Sequence, residues 1–124
     1  MPNVILEGPV DRASMLAGVE PQNWQSSYRE VSVVTKLVGL YRSDPGELLV
    51  DMMVKEDELT QRFGVSVIPR PNGRVLVKLS ELGYPRPTWG VKQAVGRVAN
   101  LIIQQHPSMR VAASTVADAG EDVR

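Results

Sequence analysis

The sequence predicts an α+β domain, in which an antiparallel sheet of four to five strands forms a meander and a long C-terminal helix packs on one face. Three observations support this two-layer sandwich. Apolar residues alternate with polar ones in several segments between residues 30 and 80, as in half-buried strands. The links between these segments are short, which favours antiparallel pairing. Residues 88–105 instead repeat their apolar side chains at helical spacing.

The chain has 124 residues, of which 43% are hydrophobic and 23% charged, a composition typical of one soluble domain. We expect this domain to cover residues 1–108 and the tail, 109–124, to be largely disordered, although Arg110–Ala112 has the character of a strand. No apolar run approaches the roughly 20 residues of a membrane span, and the N-terminus lacks the features of a secretory signal. A cytoplasmic protein without a membrane partner is therefore expected.

The N-terminal part is predicted to contain little regular structure. A short strand is expected at Val4–Leu6, where three β-favouring residues precede a Gly-Pro pair. Asp11 is a suitable cap for a two-turn helix ending at Leu16. Residues 21–27 are polar and are expected to form a loop.

Four strands should follow, at Glu30–Arg42, Leu48–Lys55, Gln61–Ile68 and Arg74–Ser80. For the first hairpin, pairing Tyr41 with Val50 brings the main apolar sets onto one side, and a two- or four-residue loop gives this register. We favour the four-residue loop, Asp44–Glu47, because Pro-Gly suits turn types that splay a two-residue hairpin. A three-residue loop would pair Leu40 with Val50, which matches the two faces less well.

The segment Arg70–Arg74 carries the strongest local signal in the chain. Pro71 presets φ for the first loop position, and Gly73 supplies a positive φ at the third. A three-residue loop of this kind pairs Val67 with Val77 and places both sets of apolar side chains on one face.

The long helix is expected to begin after Thr88, which is a good N-cap residue, and to end near Gln105. One stripe of the helix is apolar and should face the sheet. The opposite side, expected to be exposed, carries Lys92, Gln93, Arg97, Asn100 and Gln104.

The chemistry-bearing residues do not form a catalytic pattern. The sequence has no cysteine, no phosphate-binding loop and a single histidine, His106, at the end of the helix. The acidic residues near Asp51 do not have the spacing of a calcium loop, and Asp51 itself is expected to pair with Lys36 or Lys55. We therefore predict neither an enzyme nor a bound cofactor or metal.

The charge distribution is more informative than the neutral total of 14 basic and 14 acidic residues. Residues 62–110 contain eight basic residues against one acidic residue, Glu81, while the rest of the chain carries six basic and thirteen acidic residues. The neutral total therefore does not exclude an acidic partner.

Alternation along the third and fourth of these strands places part of this positive charge on one sheet surface. The candidate basic strip consists of Arg62, Arg70, Arg74 and Lys78. Such a surface suits an acidic protein patch or phosphates. No aromatic residue is interleaved with the strip, so nucleic acid is the less favoured target.

The sequence thus favours a small non-catalytic interaction or adaptor module that binds a protein or associates with itself. If Leu49 and Met53 lie on the outer sheet face, they supply an apolar interface for a dimer. Two alternatives remain open: an RNA- or DNA-binding domain that uses the basic 62–110 segment, and a carrier that holds a small apolar ligand between helix and sheet.

Overall fold

The computed structural model describes residues 2–43, 46–81 and 83–116. One seven-stranded antiparallel sheet, curled into a half-barrel, packs against one helix. The elements are β1 (Asn3–Glu7), β2 (Gln22–Tyr28), β3 (Val31–Ser43), β4 (Glu47–Glu56), β5 (Leu59–Arg70), β6 (Arg74–Leu79), α1 (Trp89–Gln105) and β7 (Arg110–Ser114). The α+β class, the antiparallel sheet and the C-terminal helix are confirmed, whereas the strand count exceeds the four to five expected.

The strand order, β2-β3-β4-β5-β6-β1-β7, is a meander only from β2 to β6. β1 returns to lie between β6 and β7, pairing antiparallel with both. The backbone of Thr115 donates to the carbonyl of Asn3 at 2.9 Å, which ties the end of β7 to the start of β1. The sheet therefore continues past residue 108, the expected domain boundary, and the acidic end of the tail, 117–124, lies outside the described residues.

β2 occupies the segment that was expected to be a loop. Its residues are polar, but an edge strand needs only one face for the core, and exposure alternates along it. Trp24 points inward, and its ring lies 5.5 Å from the guanidinium of Arg97 on α1. The curl of the sheet thus brings β2 against the helix, which a flat sandwich layer would not do.

The short helix expected from Asp11 to Leu16 was wrong, because this segment forms successive turns. The amide of Ser14 donates to the carbonyl of Asp11 at 3.1 Å, and Leu16 has a φ of +59°. The side chain of Gln105 fixes the turn from the helix: it accepts from the amide of Leu16 at 2.7 Å and donates to the carbonyl of Ala17 at 2.9 Å. Two helical turns have little intrinsic stability, so such tertiary bonds decide the conformation.

The register expected for the first hairpin was also wrong. Leu40, not Tyr41, lies opposite Val50, and the ladder shifts between Leu37 and Gly39. Leu37 and Leu40 are three residues apart and would point to opposite faces of a regular strand, but the bulge places both on the inner face. Tyr41 consequently faces outward and is 57% exposed.

The loop of this hairpin is shorter than expected, because Glu47 pairs with Ser43 and belongs to β4. Of the other three residues of the expected loop, Gly46 has a φ of +104°, and Asp44 and Pro45 lie outside the described residues. The β4 strand itself is confirmed. Its inner side chains, all at most 2% exposed, are Leu48, Val50, Met52 and Val54.

The second hairpin is confirmed in register. Val67 lies opposite Val77, and Arg70 lies opposite Arg74. Two residues of the three-residue turn are left-handed, Asn72 with φ +65° and Gly73 with φ +71°. The amide of Gly8 donates to the carbonyl of Gly73 at 3.0 Å, so the turn is fixed to the end of β1.

The helix begins where expected, with the hydroxyl of Thr88 accepting from the amide of Val91 at 3.3 Å. Its first turn contains no acidic residue, and Glu56 of β4 supplies the missing carboxylate. Glu56 accepts from the Thr88 hydroxyl and, at 3.0 Å, from the amide of Gly90. In the described chain, no helix combines the length and apolar character that crossing a membrane requires.

The expected exposed side of the helix is only partly exposed. Gln93 and Asn100 are 5% and 3% exposed, because the half-barrel covers the helix from more than one side. A Cβ on Gly96 would come within 3.3 Å of Val116, which follows β7. Lys92 and Gln104 are exposed as predicted.

Candidate interaction surface

The outer face, defined as the sheet face turned away from α1, carries seven of the fourteen basic residues of the chain. Its side chains come from alternate positions of the strands whose other positions form the core. The acidic residues on this face are Glu7, Glu47 and Asp51. The basic residues, which outnumber them, are Lys36, Lys55, Arg62, Arg70, Arg74, Lys78 and Arg110.

A shallow groove of about 480 Å³ lies on this face beside the β5–β6 turn. We call it the turn groove. Its lining residues are Ile5, Arg70, Pro71, Asn72, Arg74 and Leu76. The floor is aliphatic and the rim carries two guanidinium groups, a combination that suits a partner with carboxylates and aliphatic side chains.

One carboxylate of the domain reaches the rim of the turn groove. Glu7 lies 3.9 Å from Arg74 and 3.5 Å from Arg110, and it is shared between the two cations. Both arginine side chains are more than half exposed, so these pairs are weak and open to competition. Among the residues that the structure describes, no carboxylate pairs with Arg70 or Lys78.

Arg62 does not join the other residues of the predicted strip. Its Nε and Nη2 donate to the two carboxylate oxygens of Asp51 at 3.1 and 2.7 Å. These hydrogen bonds, followed by the negative charge of Asp51, raise the pKa of Arg62 above its ordinary value. Asp51 therefore pairs across β4 and β5, not with Lys36 or Lys55 as expected, and Arg62 is already neutralised.

Leu49 and Met53 both lie on the outer face and are half-buried. Leu49 packs over Gly64, where an added Cβ would come within 2.6 Å of its Cδ1. Met53 lies in a groove of about 350 Å³ between Lys36 and Lys55. Leu49 lines a second groove of about 220 Å³, and Asp51 lies between the two residues on the outer side of β4.

The backbone of His106 and the carboxylate of Glu56 form hydrogen bonds at the two ends of α1. Over residues 2–43, 46–81 and 83–116, no three His, Asp or Glu side chains come together as metal ligands. His106 closes the C-terminus of α1 by donating its backbone amide to the carbonyl of Ile102 at 2.9 Å. Glu56 is engaged with the helix N-terminus.

Sequence reasoning placed Arg70, Arg74 and Lys78 on one surface, but it missed the contribution of β1. Ile5 lies opposite Leu76, and Glu7 lies opposite Arg74. The apolar run Val4–Leu6 was the signal available for a strand, but it cannot show which strand β1 pairs with or which side chains face outward.

Comparison of the chain with protein-family models, with curated proteins and with solved structures finds no match.

Proposed function

We propose that this domain is a non-catalytic protein-interaction module whose turn groove binds an acidic protein partner. One observation carries the proposal: Arg70 at the rim of the groove and Lys78, two residues beyond Leu76 on β6, lie on either side of the aliphatic side chains, and no carboxylate of the described chain pairs with them. The proposal includes a cytoplasmic location, which fractionation of the producing cells tests.

The chemistry of the groove favours a protein over a nucleic acid. Recognition of single-stranded nucleic acid relies on aromatic platforms for the bases, whereas the floor here consists of Ile5 and Leu76. Two of the aromatic residues, Tyr28 and Trp89, stack on each other with ring centroids 4.7 Å apart. Aliphatic side chains flanked by carboxylates are a better complement to this surface.

The alternatives have less support. The basic excess on the outer face opposes face-to-face contact between two copies, so a dimer through Leu49 and Met53 would bring like charges together. An apolar ligand would need space between helix and sheet, where the core residues are almost fully buried. A gap of about 50 Å³ beside Trp24 and Arg97 is polar and small.

Reversing two charges at the rim should abolish most of the binding. We expect the double variant Arg70→Glu/Arg74→Glu to bind a fluorescein-labelled poly-glutamate peptide about 30-fold more weakly than the unaltered protein, because each reversal costs about 1 kcal/mol. Fluorescence anisotropy at about 0.1 M salt measures this, and the affinity of the unaltered protein should fall as more salt is added.

The matched control is Lys92→Glu, which reverses an exposed charge on α1, away from the outer face. It should leave the affinity within about twofold, since long-range charge effects are screened. Because the control reverses one charge and the double variant two, a loss of about fivefold or more in the control would mean that net charge, not the turn groove, governs binding, and the proposal would fall.

Removing the intramolecular competitor should have the opposite effect. We expect Glu7→Gln to bind the same peptide about threefold more tightly, because Arg74 and Arg110 lose the carboxylate that they share. Anisotropy measures the gain, and urea unfolding should show a stability within about 1 kcal/mol of the original. An unchanged or lower affinity would show that Glu7 does not compete for this site.

A further inference from the structure

Three rows of side chains cross the outer face at the turn groove, each row taking one residue from β5, β6 and β1. The first row is Arg70, Arg74 and Glu7. The second is Ile68, Leu76 and Ile5, all half-buried, and the third is Ser66, Lys78 and Asn3. The surface thus presents a basic row, an aliphatic row and a second basic row in regular succession.

The spacing of these rows is set by the strand itself. Arg74, Leu76 and Lys78 are alternate residues of β6, so their positions are about 6.6 Å apart and the outer two are about 13 Å apart. An extended peptide that lies along β6 has the same repeat, with every second side chain on one side. A helix repeats its side chains on one side about every 5.4 Å, so they would not match three rows that are about 6.6 Å apart.

We infer that the turn groove recognises an extended segment in which two acidic residues flank an aliphatic residue with one residue between each, in the pattern acidic-x-aliphatic-x-acidic. This inference rests on the proposed function and names the partner chemistry for it. The first carboxylate meets Arg70 and Arg74, the aliphatic side chain lies on Leu76 between its neighbours, and the second carboxylate meets Lys78.

The two charged rows are not equivalent, which gives the segment two distinguishable ends. The first row offers planar guanidinium groups that bind a carboxylate in a bidentate manner, but Glu7 offsets part of its charge. The third row offers a single ammonium group beside a hydroxyl and an amide. Each carboxylate can therefore be tested with its own variant.

Synthetic peptides of one composition separate pattern from charge. The matched peptide is Gly-Glu-Ser-Leu-Ser-Glu-Gly, and its control, Gly-Glu-Leu-Ser-Ser-Glu-Gly, moves the leucine by one position to the other side of the chain. We expect the matched peptide to bind about tenfold more tightly by anisotropy, because only it places leucine over the aliphatic row.

Equal affinities of the two peptides would overturn the inference. If poly-glutamate still binds and still responds to Arg70→Glu/Arg74→Glu, the proposed function stands without this pattern. If no acidic peptide binds, the proposed function falls as well. An oligouridine that binds more tightly than the matched peptide would also overturn the inference and would indicate a phosphate-binding surface instead.

A double-mutant cycle locates the second carboxylate. Lys78→Gln should weaken the matched peptide about threefold, and it should leave unchanged a peptide whose second Glu is replaced by Gln. Equal weakening of both peptides would show that Lys78 does not meet this carboxylate. Urea unfolding of Lys78→Gln confirms that the variant is folded, which is expected because Lys78 is on the outer face.

Discussion

Gly8→Ala is expected to destabilise the domain by about 3 kcal/mol. Gly8 has a φ of +143°, which side chains rarely adopt, and a Cβ there would lie 2.8 Å from the carbonyl oxygen of Ser108 and 2.9 Å from the Cα of Met109. Both contacts are with backbone, so no side-chain rotation relieves them. Relief would instead separate the end of β1 from the segment that leads into β7.

Urea unfolding followed by circular dichroism measures this loss, and Gly18→Ala is its control. Gly18 also has a positive φ, +75°, but a Cβ there would have no neighbour within 4 Å. Its substitution should cost only the conformational preference, about 1 kcal/mol. Similar losses of stability for the two variants would show that the close backbone contacts at Gly8 contribute nothing beyond the effect of its positive φ.

Gly90→Ala tests the contact between α1 and β4, and we expect a loss of about 2 kcal/mol. Alanine at a helical position gains up to about 1 kcal/mol over glycine, so the sign depends on whether steric repulsion exceeds this gain. The added Cβ would lie 2.6 Å from Cγ1 of Val54 and 2.7 Å from Cδ of Glu56. Val54 is fully buried, and Glu56 is held by its bonds to Thr88 and Gly90, so neither yields cheaply.

Gly96→Ala provides the comparison within the same helix. The added Cβ would approach only Val116, at 3.3 Å. The helical preference for alanine should therefore offset the contact, and the free energy of unfolding should change by less than about 1 kcal/mol. Thermal or urea unfolding of the two variants side by side measures the difference. A Gly90→Ala variant as stable as Gly96→Ala would contradict the tight packing of the first helical turn on β4.

The sequence predicted correctly the parts of the fold that depend on a few neighbouring residues, such as the β5–β6 turn and the start of α1. Pro71 and Gly73 restrict the turn so strongly that the register from Val67 to Val77 follows. Thr88 likewise marks the start of α1, since a cap bond spans only three residues.

The sequence did not predict the parts of the fold whose conformation depends on residues distant in the chain or on an irregularity within a strand. The bulge between Leu37 and Gly39 is marked only by the glycine itself, which suggests a bulge without fixing the register, and it overturned a register derived from strict alternation. β2 is polar, and it forms a strand because its backbone pairs with β3 and its Trp24 contacts Arg97 of the helix. The turns after Asp11 depend on Gln105, which lies at the other end of the chain.

The candidate site divides in the same way. Arg70, Arg74 and Lys78 were placed together by the alternation of two strands joined by one turn. The ion pair between Asp51 and Arg62 was not predicted, because several basic side chains on neighbouring strands lie within reach of Asp51 and the sequence does not show which of them binds it. Glu7, which completes the rim, could not be assigned before the place of β1 in the sheet was known.

The position of β1 between β6 and β7 also determines when the surface exists. On the ribosome, β1 is synthesised first, yet its partners are among the later elements of the chain. The hairpins from β2 to β6 form through near neighbours, whereas closure of the sheet by β1 is a long-range step and therefore slow. Because β1 contributes Ile5 and Glu7, a chain in which β1 has not yet paired with β6 carries the arginine turn without its complete groove. Under the proposed function, recognition by this groove would therefore depend on completion of the fold, and a partner that needs Ile5 would distinguish a folded domain from a nascent one.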